Sequence, residues 1–85
     1  MKIVGRVVGF TKYEYQGANF CVYYVISGKY DENSQLFESA QLFRIKCKNS
    51  MPVTPSYGLL VTFEKSQFTD ENGVLHDYYK NIEVL

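Results

Sequence analysis

Hydrophobic and polar residues alternate with a period of two along most of the chain, and this pattern favours β-strands over helices. β-branched and aromatic residues are frequent, as is typical of strands. Segments rich in Gly, Asn and Pro divide the alternating pattern into separate strands. The predicted strands cover about Lys2–Tyr15, Phe20–Ser27, Ser39–Lys48, Leu59–Ser66 and Val74–Val84.

Glycines and turn residues predict where the strands bend and end. Gly5 and Gly9 lie inside the long first strand, where a glycine often marks a bulge or a sharp bend. The segment Gln16–Asn19 is a turn signal, and Asn72-Gly73 in "TDENG" suits the positive φ angles of a hairpin turn. The first two and the last two strands are therefore predicted to form hairpins.

Two polar or proline-containing segments are predicted to be loops. The segment Gly28–Gln35, "GKYDENSQ", is polar and loop-like, and the polarity of Asp31–Glu38 favours a mobile loop over a short helical turn. The segment Asn49–Gly58, "NSMPVTPSYG", contains both prolines of the chain. A long bent strand, its hairpin partner, a third strand and a final hairpin predict an all-β domain.

The predicted architecture is a small five-stranded Greek-key barrel that resembles the OB-fold, the commonest such barrel with a binding function. An SH3-like barrel is the alternative. Residues 1–85 are predicted to form a single domain, because the chain is too short for two hydrophobic cores.

Aromatic residues must supply much of the core, since the chain has 8 Tyr and 6 Phe but no Trp. Phe10, Phe43 and Phe63 are predicted to be core residues. Tyr24 and Tyr78 are candidates for the core with the hydroxyl at its edge. The segment Gly5–Tyr30, however, contains more rings than a thin core requires, so some of them are expected on the outer face of the sheet.

The two cysteines, Cys21 and Cys47, lie in apolar strand-like runs and not in a CxxC or Cys/His pattern. We interpret them as small buried hydrophobic residues, with a disulfide or a metal site as the less favoured alternative. The sequence shows no signal peptide and no apolar run of about 18 residues. We therefore expect a soluble protein without membrane contact.

Charge and motifs argue against catalysis. The only histidine, His76, has no Ser or Cys partner in a recognised motif. The carboxylates cluster in predicted turns, at Asp31-Glu32 and Asp70-Glu71, where such groups are usually solvated. Nine basic and nine acidic residues give a formal charge of zero, which argues against a non-specific cationic coat but leaves room for a local positive groove. We predict a protein that is not an enzyme and needs no metal or cofactor.

The third predicted strand carries Arg44, Lys46 and Lys48 on one face, a positive stripe that could follow a phosphate backbone. Rings beside such a stripe would let bases stack without sequence preference. In the first strand Tyr13 and Tyr15 share one side, and Arg6 and Lys12 share the other unless a bulge shifts the alternation. The predicted phosphate contacts are Arg6, Lys12, Arg44, Lys46 and Lys48, and the predicted stacking residues are Tyr13, Tyr15, Phe20 and Tyr23.

The order of four short motifs adds a family resemblance. They are "QGANF" (Gln16–Phe20), "FRIKCK" (Phe43–Lys48), the proline loop with the strand after it (Met51–Phe68) and the last strand (Gly73–Leu85). Together they resemble the single-stranded DNA-binding proteins of filamentous phages, the helix-destabilising gene V type, over nearly the whole chain.

The resemblance implies an OB-like barrel and a homodimer that pairs through the final hairpin. It also implies cooperative, sequence-independent coating of single-stranded DNA in the cytoplasm of a bacterial host, during replication or transfer of a phage or mobile element. Phe20 matches a stacking tyrosine of the family, Arg44 falls near its phosphate-binding lysine and Lys80 near a basic position. Tyr57 lies close to the place of a tyrosine in the family's proline loop. The acidic "TDENG" tip departs from the family, which carries a ring there.

Two other functions remain open at the level of sequence. The first is a protein-interaction module on the same barrel, which neutral charge and exposed strand edges would suit. The second is an inhibitor or regulator encoded by a mobile element, because fold alone does not fix function. The sequence also leaves open whether the bound strand is DNA or RNA.

Overall fold

The computed structural model describes residues 2–85, which form five antiparallel strands in one sheet. The strands are β1 Lys2–Tyr15, β2 Ala18–Asp31, β3 Leu36–Lys48, β4 Leu60–Thr69 and β5 Leu75–Val84. The predicted all-β class and number of strands are confirmed. Residues 2–85 contain no helix of the length and apolarity that crossing a membrane requires.

The strand order, β3-β2-β1-β4-β5, is that of an OB-like Greek-key barrel. This order arises because the C-terminal half of the long β1 pairs with β2 and its N-terminal half pairs with β4. The sheet is not closed, since the pairings found within residues 2–85 do not join β3 to β5. The two strands instead meet through side chains, with the Phe43 and Tyr79 ring centroids 5.0 Å apart. We call this junction the β3–β5 seam.

A bulge in β1 sets which side chains face the core. Val7 pairs with Val25 and Gly9 pairs with Tyr24, so Val8 is an extra residue without a partner on β2. The bend predicted at Gly9 is therefore present. Gly5 has a different role, because a Cβ atom there would collide with the Val25 side chain.

The hairpin between β1 and β2 turns on only two residues. Gln16 has a φ of 50° and Gly17 a φ of 78°, and two successive positive φ angles define a type I′ turn. The twist of this turn matches that of the flanking strands, which places Tyr15 opposite Ala18. The predicted turn is confirmed, but β2 begins at Ala18, earlier than the predicted Phe20.

The strands β2 and β3 are longer than predicted, because β2 continues to Asp31 and β3 begins at Leu36, and only residues 32–35 form the turn between them. A β-bulge lies between Ser27 and Lys29, where a Cβ atom on Gly28 would collide with the backbone oxygen of Glu38. Beyond the bulge the Tyr30 and Phe37 rings pair across the strands, with centroids 4.9 Å apart. The glycine thus permits a close approach of two strands and does not end β2.

The core lies between the two curved parts of the sheet. Its buried residues are Val7, Cys21, Tyr23, Val25, Ile45, Val53, Val61, Phe63 and Ile82. Phe63 is buried as predicted, and Phe10 and Phe43 pack against the core from partly buried positions. Tyr78 is 39% exposed and lies outside the core, so its interpretation as a core candidate was wrong.

Tyr23 was predicted to stack on bases, and this prediction is wrong. Its side chain is 0% exposed, because Tyr23 pairs with the buried Ile45 on the core side of β2 and β3. Its hydroxyl donates a hydrogen bond to the carbonyl oxygen of Val53 and accepts one from the Val53 N–H at 3.2 Å. Tyr23 therefore fixes the proline loop to the core and cannot reach a ligand.

Candidate nucleic-acid interface

One face of β1, β2 and β3 points away from the core and collects the rings and cations that the sequence singled out. We call it the outer face. From the β1–β2 turn inward, its rows are Tyr13, Phe20 and Lys48; then Thr11, Val22 and Lys46; then Gly9, Tyr24 and Arg44. Tyr15 precedes the first row. None of these rows contains a carboxylate, so the outer face is positive although the chain is neutral.

Aromatic rings cover the end of the outer face nearest the turn. The Tyr13 and Phe20 rings are nearly parallel, with an interplanar angle of 18° and centroids 5.2 Å apart. Tyr13 is 41% exposed and Tyr15 is 60% exposed. Both lie beyond the reach of the core, so solvent contacts these rings and a base could do the same.

Three cations border the rings along β3. Arg44 and Lys48 are exposed, and within residues 2–85 neither makes a hydrogen bond or an ion pair through its side chain. The Lys46 ammonium lies over the Phe20 ring, 4.6 Å from its centroid, and 5.8 Å from the centroid of Tyr13. The predicted positive stripe is therefore next to the rings.

Tyr24 belongs to the same face, and sequence reasoning missed it. Its ring packs across Gly9, where an added Cβ would lie 3.5 Å from the ring atom Cδ2. Residues 20, 22 and 24 alternate to one side of β2, so Phe20 itself could have identified Tyr24. The choice of Tyr23 failed because a separation of three residues places two side chains on opposite faces.

A shallow hollow lies between these rings. It has a volume of about 390 Å³ and is lined by Thr11, Tyr13, Val22, Tyr24, Arg44 and Lys46. Val22 is 8% exposed and forms an apolar floor between Tyr13 and Tyr24. The combination of an apolar floor, flanking rings and two cations at the rim suits one planar base with its phosphate.

The cationic strand also forms one wall of a groove of about 610 Å³ at the β3–β5 seam. Asp77, Tyr78 and Tyr79 line the opposite wall. Asp77 accepts a hydrogen bond from Gln67 at 2.8 Å and lies 3.5 Å from the Lys65 ammonium. The hydrogen bond from Gln67, followed by the charge of Lys65, lowers the pKa of Asp77. One wall of the groove is thus positive and the other carries a carboxylate with its own partners.

Arg6 and Lys12 do not join this cluster. The β1 bulge does turn Arg6 toward the side of Tyr13, but its guanidinium donates hydrogen bonds to the carbonyl oxygens of Gly58 at 3.0 Å and Gln35 at 2.7 Å. Arg6 is therefore a bridge between two loops. Lys12 alternates to the other side of β1 from Tyr13, and it lines a cleft of about 460 Å³ to which Tyr13, Phe20, Ser50 and Met51 also contribute.

Tyr57 and Lys80, which entered the prediction through the family resemblance, also lie elsewhere. Tyr57 is 86% exposed in the loop between β3 and β4, and it lines a cleft beside Phe10. Lys80 is opposite Glu64 in the β4–β5 hairpin. The structure thus groups six of the predicted contact residues, namely Tyr13, Tyr15, Phe20, Arg44, Lys46 and Lys48, and separates five.

The tip of the β4–β5 hairpin carries a second aromatic group. The His76 ring is stacked on Phe68 with centroids 5.0 Å apart, and its Nε2 lies 2.7 Å from Oδ2 of Asp70. This contact, together with the N–H groups of Val74 and Asn72, lowers the pKa of Asp70. Asp70 is therefore a bonded turn residue, where the sequence suggested a solvated one.

The two cysteines lie opposite each other on β2 and β3, and both are free thiols. Burial, with a smaller effect of the neighbouring Cys21, raises the pKa of Cys47 to about 11. A thiol that stays protonated near neutral pH is a poor nucleophile and a poor metal ligand. Residues 2–85 also contain no group of three metal-ligating side chains.

Comparisons with protein-family models, with curated proteins and with solved structures found no match for this chain. The family membership, the dimer and the phage context that the sequence resemblance implies therefore stay predictions.

Proposed function

We propose that this protein binds single-stranded nucleic acid, in the first place DNA, through its outer face and without sequence preference. The observation that carries the proposal is the register that puts Tyr13, Phe20 and Tyr24 on one face with Lys46 and its cationic neighbours on β3. Because the chain has zero formal charge, this face is a local concentration of positive charge beside aromatic rings.

Each part of the outer face has a task in this proposal. Arg44 and Lys48 contact phosphates, because their side chains are exposed and without partners among the described residues. Rings of Tyr13, Phe20 and Tyr24 stack on bases, each contact contributing about 1–3 kcal/mol. Every base has a π face, so this form of contact does not read sequence. Strands 2 and 3 also supply the binding face in OB-folds that bind oligonucleotides.

A protein that binds only the unpaired strand shifts the equilibrium between duplex and single strands by mass action. We propose that the chain coats and protects single strands during replication or transfer of a phage or mobile element in a bacterial cytoplasm, as a homodimer. The family resemblance supports this context. The proposed role involves no catalysis.

Tyrosine fluorescence during titration with an oligo(dT) of about 16 nucleotides tests the proposal. We expect quenching as rings stack on bases. Neutralising three phosphates should give a slope of about −2 for log K against log salt concentration between about 50 and 200 mM. Absence of quenching, or binding that does not respond to salt, would contradict the proposal. The same titration with oligo(rU) compares RNA with DNA.

A protein-interaction module is the second candidate, and one observation favours it. β3 and β5 border the seam without pairing to each other within residues 2–85, so each offers a strand edge to an added strand. This function predicts a stoichiometric complex with a specific protein and unchanged tyrosine fluorescence on addition of oligo(dT).

A further inference from the structure

The place where a base would stack on Phe20 already holds a cation. The Lys46 ammonium lies 4.6 Å from the centroid of the Phe20 ring and 5.8 Å from that of Tyr13. Within the described residues, Arg44 and Lys48 make no such contact with a ring, although both flank Lys46 on the same side of β3. Lys46 therefore differs from its two neighbours in what its charge touches.

The side chains around Lys46 explain why only this lysine reaches the rings. Lys46 is opposite Val22, which is small and almost fully buried, so the row between the two rows of rings is low. The long stem of Lys46 can therefore lie across this row and bring its ammonium to the neighbouring Phe20. Lys48 is opposite the large Phe20 and not a small residue such as Val22, so its stem has no comparable space to cross.

We propose that Lys46 covers the base-stacking site in the free protein and that the incoming base displaces its ammonium to a phosphate. This inference rests on the proposed function and specifies how its central contact forms. A base on this side of Phe20 needs the space that the ammonium occupies, so the two cannot be present together. Stacking and phosphate neutralisation then occur in one step, because the same lysine takes part in both.

This arrangement has a measurable consequence. Binding must first break the contact between the Lys46 ammonium and the Phe20 ring. The free energy of this lost contact offsets part of the favourable free energy that Lys46 contributes at the phosphate. Removing Lys46 removes one charge but also uncovers Phe20. Removing Lys48 removes one charge and uncovers nothing. The two lysines should therefore contribute equally to the salt dependence and unequally to the affinity.

The test compares Lys46→Thr with Lys48→Thr as its matched control. Threonine is neutral, suits a strand and is too short to reach the rings. Both variants should reduce the magnitude of the salt slope for oligo(dT) by about 0.7. At each salt concentration, however, K46T should bind about two- to fivefold more tightly than K48T, the factor that loss of an exposed cation–π contact predicts.

Equal affinities of the two variants, or weaker binding by K46T, would overturn the inference while leaving the proposed function intact. Failure of the wild-type protein to bind oligo(dT) would instead overturn both. A second measurement needs no variant. The ε-methylene protons of Lys46 should show an upfield ring-current shift in the NMR spectrum of the free protein and lose it at saturating oligo(dT). A shift that is absent in the free protein, or that persists in the complex, would also overturn the inference.

Discussion

Tyr23 and Val53 hold each other by two hydrogen bonds, in which the tyrosine hydroxyl both donates to and accepts from the backbone of the valine. The pair joins the centre of β2 to the proline loop. It also shows that a tyrosine in the part of the chain richest in aromatic rings can have a purely structural role.

Replacing Tyr23 by Phe should lower the free energy of unfolding by about 1–3 kcal/mol, because the buried N–H and C=O groups of Val53 lose their partner. Tyr24→Phe is the matched control, since the Tyr24 hydroxyl has no hydrogen-bond partner within residues 2–85. Urea unfolding of the two variants measures the difference. Equal stability of Y23F and Y24F would contradict the assigned role of Tyr23.

The ring of Tyr24 should matter for binding, although the sequence had made it a candidate for the core. Tyr24→Leu removes a stacking surface on the outer face, and we expect the affinity for oligo(dT) to fall about tenfold. Tyr57→Leu removes a more exposed ring that lies beside Phe10 on another surface, and it should leave the affinity unchanged. Fluorescence anisotropy of labelled oligo(dT) compares the variants, and a larger loss for Y57L would place the interface elsewhere.

Arg6 and Arg44 should separate stability from binding. Arg44→Gln should reduce the magnitude of the salt slope by about 0.7 and leave the unfolding midpoint nearly unchanged. Arg6→Gln should do the reverse, because the guanidinium of Arg6 bonds to the carbonyl oxygens of Gly58 and Gln35. We expect it to lower the free energy of unfolding by about 1–3 kcal/mol without a change in slope. Salt titrations and urea unfolding of both variants decide, and a reduced slope for R6Q would restore Arg6 to the interface.

The thiol of Cys47 should make stability depend on alkaline pH. Its pKa rises from the ordinary 9.0 to about 11 through burial and then through Cys21, so the folded protein holds this proton more tightly than the unfolded chain. The resulting stabilisation is fully present below pH 9.0 and is lost as the pH rises through about 11. Cys47→Ala lacks it.

Urea unfolding of wild type and Cys47→Ala at about pH 8 and about pH 11 measures this effect. The stability difference between the two proteins should change in favour of C47A at the higher pH. The comparison cancels the titration of Tyr and Lys residues, which both proteins share. An identical difference at both pH values would show that burial does not perturb the thiol.

Alternation together with the turn residues was sufficient to predict five strands, the positions of the first and last hairpins and the positive stripe on β3. It was not sufficient where one residue changes the phase. Arg6 and Tyr13 lie on the same side because Val8 is an extra residue in β1, and alternation alone does not locate such a bulge. The prediction that β2 ends at Ser27 was wrong, because a glycine in a polar segment is compatible both with a turn and with a close approach of two strands. The hydrogen bonds of Arg6 join residues 29 and 52 positions away, and no local pattern contains that information.

The strand β1, which contains the bulge at Val8, has one part that packs on the core and one part that does not. Core contacts of Ile3, Val7 and Phe10 fix the strand up to Phe10, and the part after Phe10, up to the turn at Gln16, is exposed to solvent. Adding two residues to each strand next to Gln16 would therefore lengthen the outer face by one row without changing a single core contact. Under the proposed function, such an insertion would increase the number of nucleotides that one chain covers and leave the core unchanged.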